Sequence, residues 1–229
     1  TQRKNLFRKS LCDLRVLCGR FYTLSSQERW GDNRHRFKPN GNSMETKAFL
    51  DKLRQDITFG ETLCGQHFTF HSTWGVFSPR EVDEGSRMLL DYMEINETDD
   101  CLDLGCGYGP IGMTLARLAP KGRTLLVDKD FVAVDYANKN IKVNGITNAE
   151  AFLSNGLADV GDRQFDIIAS NIPAKVGNEM LYLFLYDALF HLKPGGRLYV
   201  VTITGLRQFI KRSFNEVFGN YDKLKQGKT

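Results

Sequence analysis

The sequence lacks the features that mark membrane proteins and disulfide-stabilised proteins. Its five cysteines are an odd number and include no CxxC pair, which argues against a disulfide framework or a zinc site and favours a reducing compartment. The longest nearly apolar run, residues 180–190, contains Asp187 and is far shorter than the ~20 residues that a membrane-spanning helix needs. The sequence therefore predicts a globular protein with no metal and no membrane segment.

The sequence has no net positive charge beyond the first 43 residues. Of the 229 residues, 41% are hydrophobic and 25% are charged, values that suit one α/β domain with an extension. The formal net charge is +4, but residues 1–43 contain ten Lys or Arg and three acidic residues. They carry +7, which leaves −3 for the remaining residues. No broad basic surface for nucleic acid is expected there.

Three interpretations fit residues 1–43, which we expect to be a poorly ordered basic extension. They could form an RNA-binding arm or an organellar transit segment, or they could precede a natural start at Met44. A cytoplasmic location is expected, or an organellar one if the segment is a transit peptide. Residues 44–95 are predicted to form lead-in helices and a strand, and residues 96–229 the principal domain.

Strands and helices alternate through this principal domain. The lead-in is predicted to contain helices over 44–56 and 80–95 and a strand over 66–71. Strands are then predicted at 101–104, 125–127, 151–153, 165–169 and 197–204, separated by helices at 110–118, 131–143, 180–192 and 206–218. This order predicts an α/β fold with a doubly wound, Rossmann-like parallel sheet, whose ligands bind at the carboxyl ends of the strands.

A glycine-rich loop follows the first strand of the principal domain. It runs from Asp103 to Gly112 (DLGCGYGPIG), and Asp128 ends the next strand. Glycines let a ligand approach the backbone, and the start of a helix offers free N–H groups. The pattern fits a nicotinamide dinucleotide or S-adenosylmethionine. Asp103 favours S-adenosylmethionine, because a carboxylate suits an ammonium group better than a pyrophosphate.

Several ordered motifs resemble those of class I S-adenosylmethionine-dependent methyltransferases, in particular the small-domain branch that includes ribosomal RNA guanine-N2 methyltransferases. The resemblance covers about residues 69–220. Its motifs are GVFS at 75–78 followed by Asp83 and GSRMLL at 85–90, the glycine loop, SNIP at 170–173, and LKPGG at 192–196.

The resemblance implies S-adenosylmethionine as cofactor and ribosomal RNA or a ribosomal subunit as partner. Asn171, Ile172 and Pro173 would act on the exocyclic amine of guanine. The cofactor would be held by Asp103, Gly105, Cys106, Gly107, Gly109, Asp128, Lys129 and Asn155. Asp128 would accept both ribose hydroxyls, and Asn155 would meet the adenine amine.

Two departures from the family pattern affect these expectations. Ile172 and Ala174 replace the second and fourth residues of the usual Asn-Pro-Pro-aromatic motif, so base stacking would fall to Phe77 or Trp74. The class I sheet also usually ends in an antiparallel strand, and we expect that strand to be missing here because little chain follows Asn220. A protein amide or small-molecule substrate, a non-catalytic cofactor-binding module and a nicotinamide oxidoreductase stay open as alternatives.

Overall fold

The computed structural model describes residues 43–172 and 177–224 and divides into two units at Arg54 and Gln55. In the first unit, helix α1 spans Ser43–Arg54, and Arg54 forms an ion pair with Asp51 at 3.0 Å. The helix predicted over 44–56 is therefore confirmed. Except for Ser43, the basic extension predicted over residues 1–43 lies outside the described residues.

The second unit begins with an antiparallel hairpin. Strand β1 spans Ile57–Leu63 and strand β2 spans Gln66–Ser72. The two linking residues, Cys64 and Gly65, have φ of 48° and 75°, as expected for a two-residue turn that matches the twist of the strands. The sequence predicted β2 but not β1.

The central sheet contains five strands, and each of its strand pairings in the described residues is parallel. Its order is β5-β4-β3-β6-β7. The strands are β3 (Cys101–Leu104), β4 (Thr124–Asp128), β5 (Ala149–Leu153), β6 (Phe165–Asn171) and β7 (Leu192–Val201). Helix α2 (Glu84–Tyr92) precedes the sheet. Four further helices alternate with its strands or follow them: α3 (Pro110–Leu118), α4 (Phe131–Val143), α5 (Asn178–His191) and α6 (Arg207–Phe218). The doubly wound α/β prediction is confirmed.

The chain order reverses at β3, which places the ligand crevice between β3 and β6. The chain builds the sheet outwards from β3 through β4 to β5, and then returns to add β6 on the other side of β3. All four residues of β3 are buried, because helices cover both faces of the sheet. In such sheets, ligands bind beyond the carboxyl ends of the strands at the point of reversal.

Asn140 of α4 and the C-cap residue Asn144 hold the hairpin by hydrogen bonds. Asn140 accepts a hydrogen bond from the backbone N–H of His71 at 2.7 Å, and Asn144 accepts one from that of Thr69 at 2.9 Å. The buried Asn140 amide also donates to the carbonyl of Tyr108 at 2.9 Å. The lead-in hairpin is thereby attached to the glycine loop. No helix in the described ranges is long and apolar enough to cross a membrane.

Gly112 allows α3 to pack closely on β4, and we expect Gly112→Ala to lower the free energy of unfolding by about 1–3 kcal/mol. A Cβ at this position would lie 2.4 Å from Cγ of Leu126, whose side chain is fully buried. Chemical denaturation measures the loss. Gly205→Ala is the control, because a Cβ there would come no closer than 3.8 Å to Ile203, its nearest contact. Equal stability of the two variants would contradict the packing argument.

Candidate functional site

The glycine loop joins β3 to α3 and presents its backbone to open space. Gly105, Gly107 and Gly109 have φ of 79°, 56° and 97°, a region that side chains other than glycine rarely adopt. The N–H groups of Gly105 and Cys106 both donate to the carbonyl of Val127, at 2.8 and 3.0 Å. A Cβ on Gly105 or Gly107 would meet no atom within 4 Å. The hydrogen bonds to Val127 therefore anchor one side of the loop, and the other side is open space, as a ligand-binding loop requires. We call this loop the glycine cradle.

Asp128 lies at the edge of this cradle and supports it. Its Oδ2 accepts a hydrogen bond from the N–H of Gly107 at 2.9 Å, and its Oδ1 accepts one from the N–H of Asp130 at 3.0 Å. The side chain is only partly buried, and an ionised carboxylate has about four acceptor positions. Asp128 thus retains acceptor capacity for ligand hydroxyls.

Asp103 is fully buried beneath the loop. Its Oδ2 accepts a hydrogen bond from the N–H of Gly112 at 2.7 Å, while its Oδ1 has no partner among the described residues. Burial is the main cause that raises the pKa of Asp103 to about 7, the Gly112 hydrogen bond lowers it, and the charge of Asp128 raises it further. The unpaired buried oxygen is what a ligand ammonium group would satisfy. Because Oδ1 is closed to solvent, a direct contact requires the loop to move.

Asn171 ends β6 level with the glycine loop. In the sheet register, Ala169 lies opposite Asp103 and Leu104 lies opposite Val127. Asn171 and Asp128 therefore lie at the same height as Gly105. The carboxyl ends of β3, β4 and β6 bring these groups to one edge, as the sequence predicted for a class I site.

The Asn171 side chain is held by residues of the lead-in segment. Its Nδ2 donates to both carboxylate oxygens of Asp83 and to Oγ of Ser86, each at 3.1 Å. Ile172 is buried, and its N–H donates to the carbonyl of Val201 at 2.9 Å. Pro173 and Ala174, the rest of the predicted motif, lie outside the described residues.

The residues that we expected to stack on a base lie on the surface. Phe77 is 68% exposed and Trp74 is 44% exposed, with the guanidinium of Arg80 at 4.6 Å from the Trp74 ring centroid. The buried Tyr108 donates its hydroxyl to the carbonyls of Ser78 and Glu81, at 3.2 and 3.0 Å. This aromatic segment is therefore attached to the glycine loop, and its contact with a substrate stays a prediction.

Lys129 and Asn155 are exposed at the same edge of the sheet. Asn155 follows β5, and its backbone carbonyl accepts a hydrogen bond from the N–H of Ala158 at 3.4 Å. Cys106 is buried, and burial raises its pKa. Contact of these three residues with a cofactor stays a prediction.

The two edges of the sheet differ in how their acids are compensated. At the amino edge, Lys193 forms ion pairs with Asp100 and Asp166, each at 2.8 Å. At the carboxyl edge, the contacts that Asp103 and Asp128 make with described residues are hydrogen bonds from backbone N–H groups rather than ion pairs. The carboxyl edge therefore holds two acidic groups without an ion-pair partner among the described residues, which suits a cationic ligand. Within the described ranges, no cluster of three or more His, Cys, Asp or Glu could hold a metal ion.

Two sequence comparisons locate relatives of the chain. The model of the family described as methyltransferase small domain matches residues 67–229. The uncharacterized protein YbxB of Bacillus subtilis is 40% identical over 147 residues, which are 63% of this chain and 73% of that protein. Ribosomal RNA small subunit methyltransferase C of Hamiltonella defensa is 35% identical over 156 residues, which are 66% of this chain and 45% of that protein.

A solved structure with the same fold contains both ligands of a methyl transfer. It is the 16S rRNA guanine N2 methyltransferase of T. thermophilus in complex with AdoMet and guanosine, with a TM-score of 0.68 and 29% identity. The alignment covers 75% of this chain and 48% of that one. The chain thus spans about half the length of the ribosomal RNA methyltransferases that it resembles.

Proposed function

Because the chain belongs to the methyltransferase small domain family, we propose that it is an S-adenosylmethionine-dependent N-methyltransferase that modifies the exocyclic amine of guanine in ribosomal RNA. One observation carries the proposal. An open glycine cradle and the Asn171 carboxamide lie at the same height on neighbouring strands. A cofactor and a planar amide-containing base could therefore meet across the end of β3 and β6, and the related structure from T. thermophilus contains AdoMet and guanosine.

The residues of the cradle fit S-adenosylmethionine. The space above Gly105 and Gly107 would accept the ligand against the backbone, Asp128 would accept hydrogen bonds from the ribose hydroxyls, and the unpaired oxygen of Asp103 would compensate the ammonium group. Asn155 would meet the adenine amine. When bound, the cofactor supplies a methyl group on a positively charged sulfur, and the negative edge of the sheet favours that charge.

The chain's own part in the transfer is to position the nucleophile and to exclude water. The guanine amine is a poor nucleophile because its lone pair is delocalised into the ring. The Oδ1 of Asn171 and the carbonyl of Ile172 would accept its two hydrogens, so that the lone pair is directed at the methyl group. Pro173 would stiffen this segment because its φ is fixed. The methylated amine then loses its proton to water, and no histidine or cysteine is needed as a base.

The macromolecular partner is proposed to be ribosomal RNA or a ribosomal subunit, in the compartment where ribosomes assemble. Residues 44–229 carry a net charge of −3, so phosphate contacts would come from a local patch, from the basic residues 1–43, or from a further component. Binding through such contacts should weaken steeply with salt concentration. A base inside a duplex would have to be flipped out or lie in an unpaired loop.

The test is methyl transfer from labelled S-adenosylmethionine to unmodified ribosomal subunits and to naked ribosomal RNA, followed by nucleoside analysis. We expect label in N2-methylguanosine, and comparison of the two substrates tells whether the enzyme requires the assembled particle. Cofactor binding without labelled RNA would shift the assignment to a protein amide, to a small molecule or to a binding module. Binding of NADH instead of S-adenosylmethionine would overturn the cofactor assignment.

Asp128→Ala should weaken S-adenosylmethionine binding about 10- to 100-fold, since a hydrogen bond to a charged group contributes roughly 1.5–3 kcal/mol. Isothermal titration calorimetry measures the affinity. Asp128→Asn keeps an acceptor for the N–H of Gly107 and separates support of the loop from recognition of the ribose. Asp130→Ala is the control, because Asp130 caps α4 through the N–H of Val132. Unchanged affinity in Asp128→Ala would remove Asp128 from the cofactor site.

A further inference from the structure

We propose that Asp83 is a positioning residue that fixes the orientation of the Asn171 carboxamide, so that its oxygen and not its nitrogen faces the guanine amine. The inference rests on the proposed function and assigns a role to a residue of the lead-in segment. Asp83 and Asn171 are 88 residues apart in sequence, and both carboxylate oxygens of Asp83 accept a hydrogen bond from Nδ2 of Asn171 at 3.1 Å.

The orientation follows from the chemistry of the two groups. An ionised carboxylate only accepts hydrogen bonds, whereas the two ends of a carboxamide differ, one being a donor and the other an acceptor. The –NH₂ end of Asn171 must therefore face Asp83, where it is also within reach of the Ser86 hydroxyl. Oδ1 then points away from Asp83. It accepts no hydrogen bond from the described residues and is not among their buried unpaired atoms, so those residues leave its acceptor capacity for a substrate.

An acceptor is what the reaction needs at this position. The guanine amine offers two hydrogens, and an N–H group of Asn171 turned towards it would repel them. A reversed carboxamide would thus remove one acceptor and place a donor in its stead. A free asparagine could turn by half a revolution at little cost, but the Asp83 contact makes the reversed orientation unfavourable, because the amide oxygen would then face a carboxylate.

The surrounding structure holds Asp83 in place for this contact. Asp83 is the N-cap of α2, and its Oδ1 accepts hydrogen bonds from the N–H groups of Gly85 and Ser86, at 2.9 and 3.2 Å. A Cβ on Gly85 would lie 2.9 Å from this Oδ1 and 3.6 Å from Nδ2 of Asn171. A side chain at Gly85 would therefore crowd the Asp83 oxygen that accepts these hydrogen bonds.

Asp83→Asn tests the role without removing the helix cap. Asparagine is as good an N-cap as aspartate, so its oxygen would keep the Gly85 and Ser86 contacts and its –NH₂ group would face Asn171. The Asn171 carboxamide then turns over to present its oxygen to this donor. We expect turnover to fall about 10- to 50-fold, less than the loss from deleting a group at a reacting centre, with unchanged cofactor affinity and unchanged thermal stability.

An exchange of the two side chains should restore activity. In Asp83→Asn combined with Asn171→Asp, the amide at 83 donates to one carboxylate oxygen at 171 and leaves the other for the substrate. Asn171→Asp alone places two carboxylates at about 3 Å, which favours protonation of one of them. We expect the double variant to turn over faster than either single variant, a recovery that a merely structural role of Asp83 would not produce. Asp91→Asn, on the exposed side of the same helix, is the matched control.

The experiment measures turnover and the KM for the RNA substrate in the guanine assay, with the cofactor affinity determined separately. If the unmodified chain labels guanine, full activity of Asp83→Asn, or an exchange variant no faster than the faster of the two single variants, overturns the inference and leaves the proposed function standing. If the unmodified chain binds S-adenosylmethionine but labels no guanine, the proposed function fails and the inference fails with it.

Discussion

Asn171→Ala is expected to reduce turnover about 10²–10³-fold, as the loss of a positioning group at a reacting centre does in other enzymes, while S-adenosylmethionine binds with unchanged affinity. The carboxamide lies at the end of β6, and its donor end is already occupied by Asp83 and Ser86. Its remaining function is to present an acceptor to the substrate amine. Alanine removes that acceptor but leaves the glycine cradle and Asp128 intact. The variant should therefore be slower in the chemical step and not weaker in cofactor binding.

Single-turnover methyl transfer measures this step, and calorimetry measures cofactor affinity in the same preparation. Asn215→Ala is a control of the same chemical change on α6, where the amide donates to the carbonyl of Lys211 within its own helix. Turnover of Asn171→Ala equal to that of the unmodified chain would exclude the proposed action on the amine. A loss of cofactor affinity instead would indicate that Asn171 belongs to the cofactor site.

The central sheet was predictable because its strands and helices have clear local signals. The helices at 110–118 and 131–143 have the predicted bounds, since Pro110 starts one and Gly145 follows the other. The helix predicted over 80–95 is shorter, since Asp83 caps it and Met93 is already extended. Strand β1 was missed because Gly60 and Glu61 interrupt its alternation. Its formation depends on pairing with β2 and on the packing of Phe59 against Phe70, whose ring centroids are 5.6 Å apart.

The family and the glycine loop were also predictable, and the resemblance stated from the motifs is confirmed by the family match over residues 67–229. What sequence reasoning missed are the contacts between distant segments. Asp83 was noted only as part of a family motif, and its pairing with Asn171 depends on the packing of α2 against β6. Tyr108 was visible within the loop, yet its bonds to the carbonyls of Ser78 and Glu81 are tertiary.

Asp103 shows how burial changes the meaning of a motif residue. The sequence suggested a carboxylate that is ready for a ligand ammonium group. The structure adds that Asp103 is buried, holds the N–H of Gly112 and has a pKa raised to about 7. Near neutral pH the group is therefore balanced between its two protonation states, and a cationic ligand would favour the ionised one.

This raised pKa predicts an unusual dependence of stability on pH. Between pH 3.8 and about 7 the unfolded chain has lost the Asp103 proton while the folded chain still holds it. Folding therefore takes up a proton, and the contribution of Asp103 to stability falls as pH rises through this window. At about 1.4 kcal/mol per pH unit, the total loss is about 4 kcal/mol. Acids with lowered pKa, such as Asp56 and Asp100, have the opposite dependence.

The difference in unfolding free energy between the unmodified chain and Asp103→Asn isolates this contribution, because the other titrating groups cancel. We expect the difference to decline by about 3 kcal/mol from pH 4 to pH 7, and a flat difference would contradict a raised pKa. If Asp103 compensates the cofactor's ammonium group, binding at pH 6 should also release about one proton. Calorimetry in buffers of different ionisation enthalpy measures that release. Its absence, together with the predicted stability profile, would leave Asp103 as a support of the loop only.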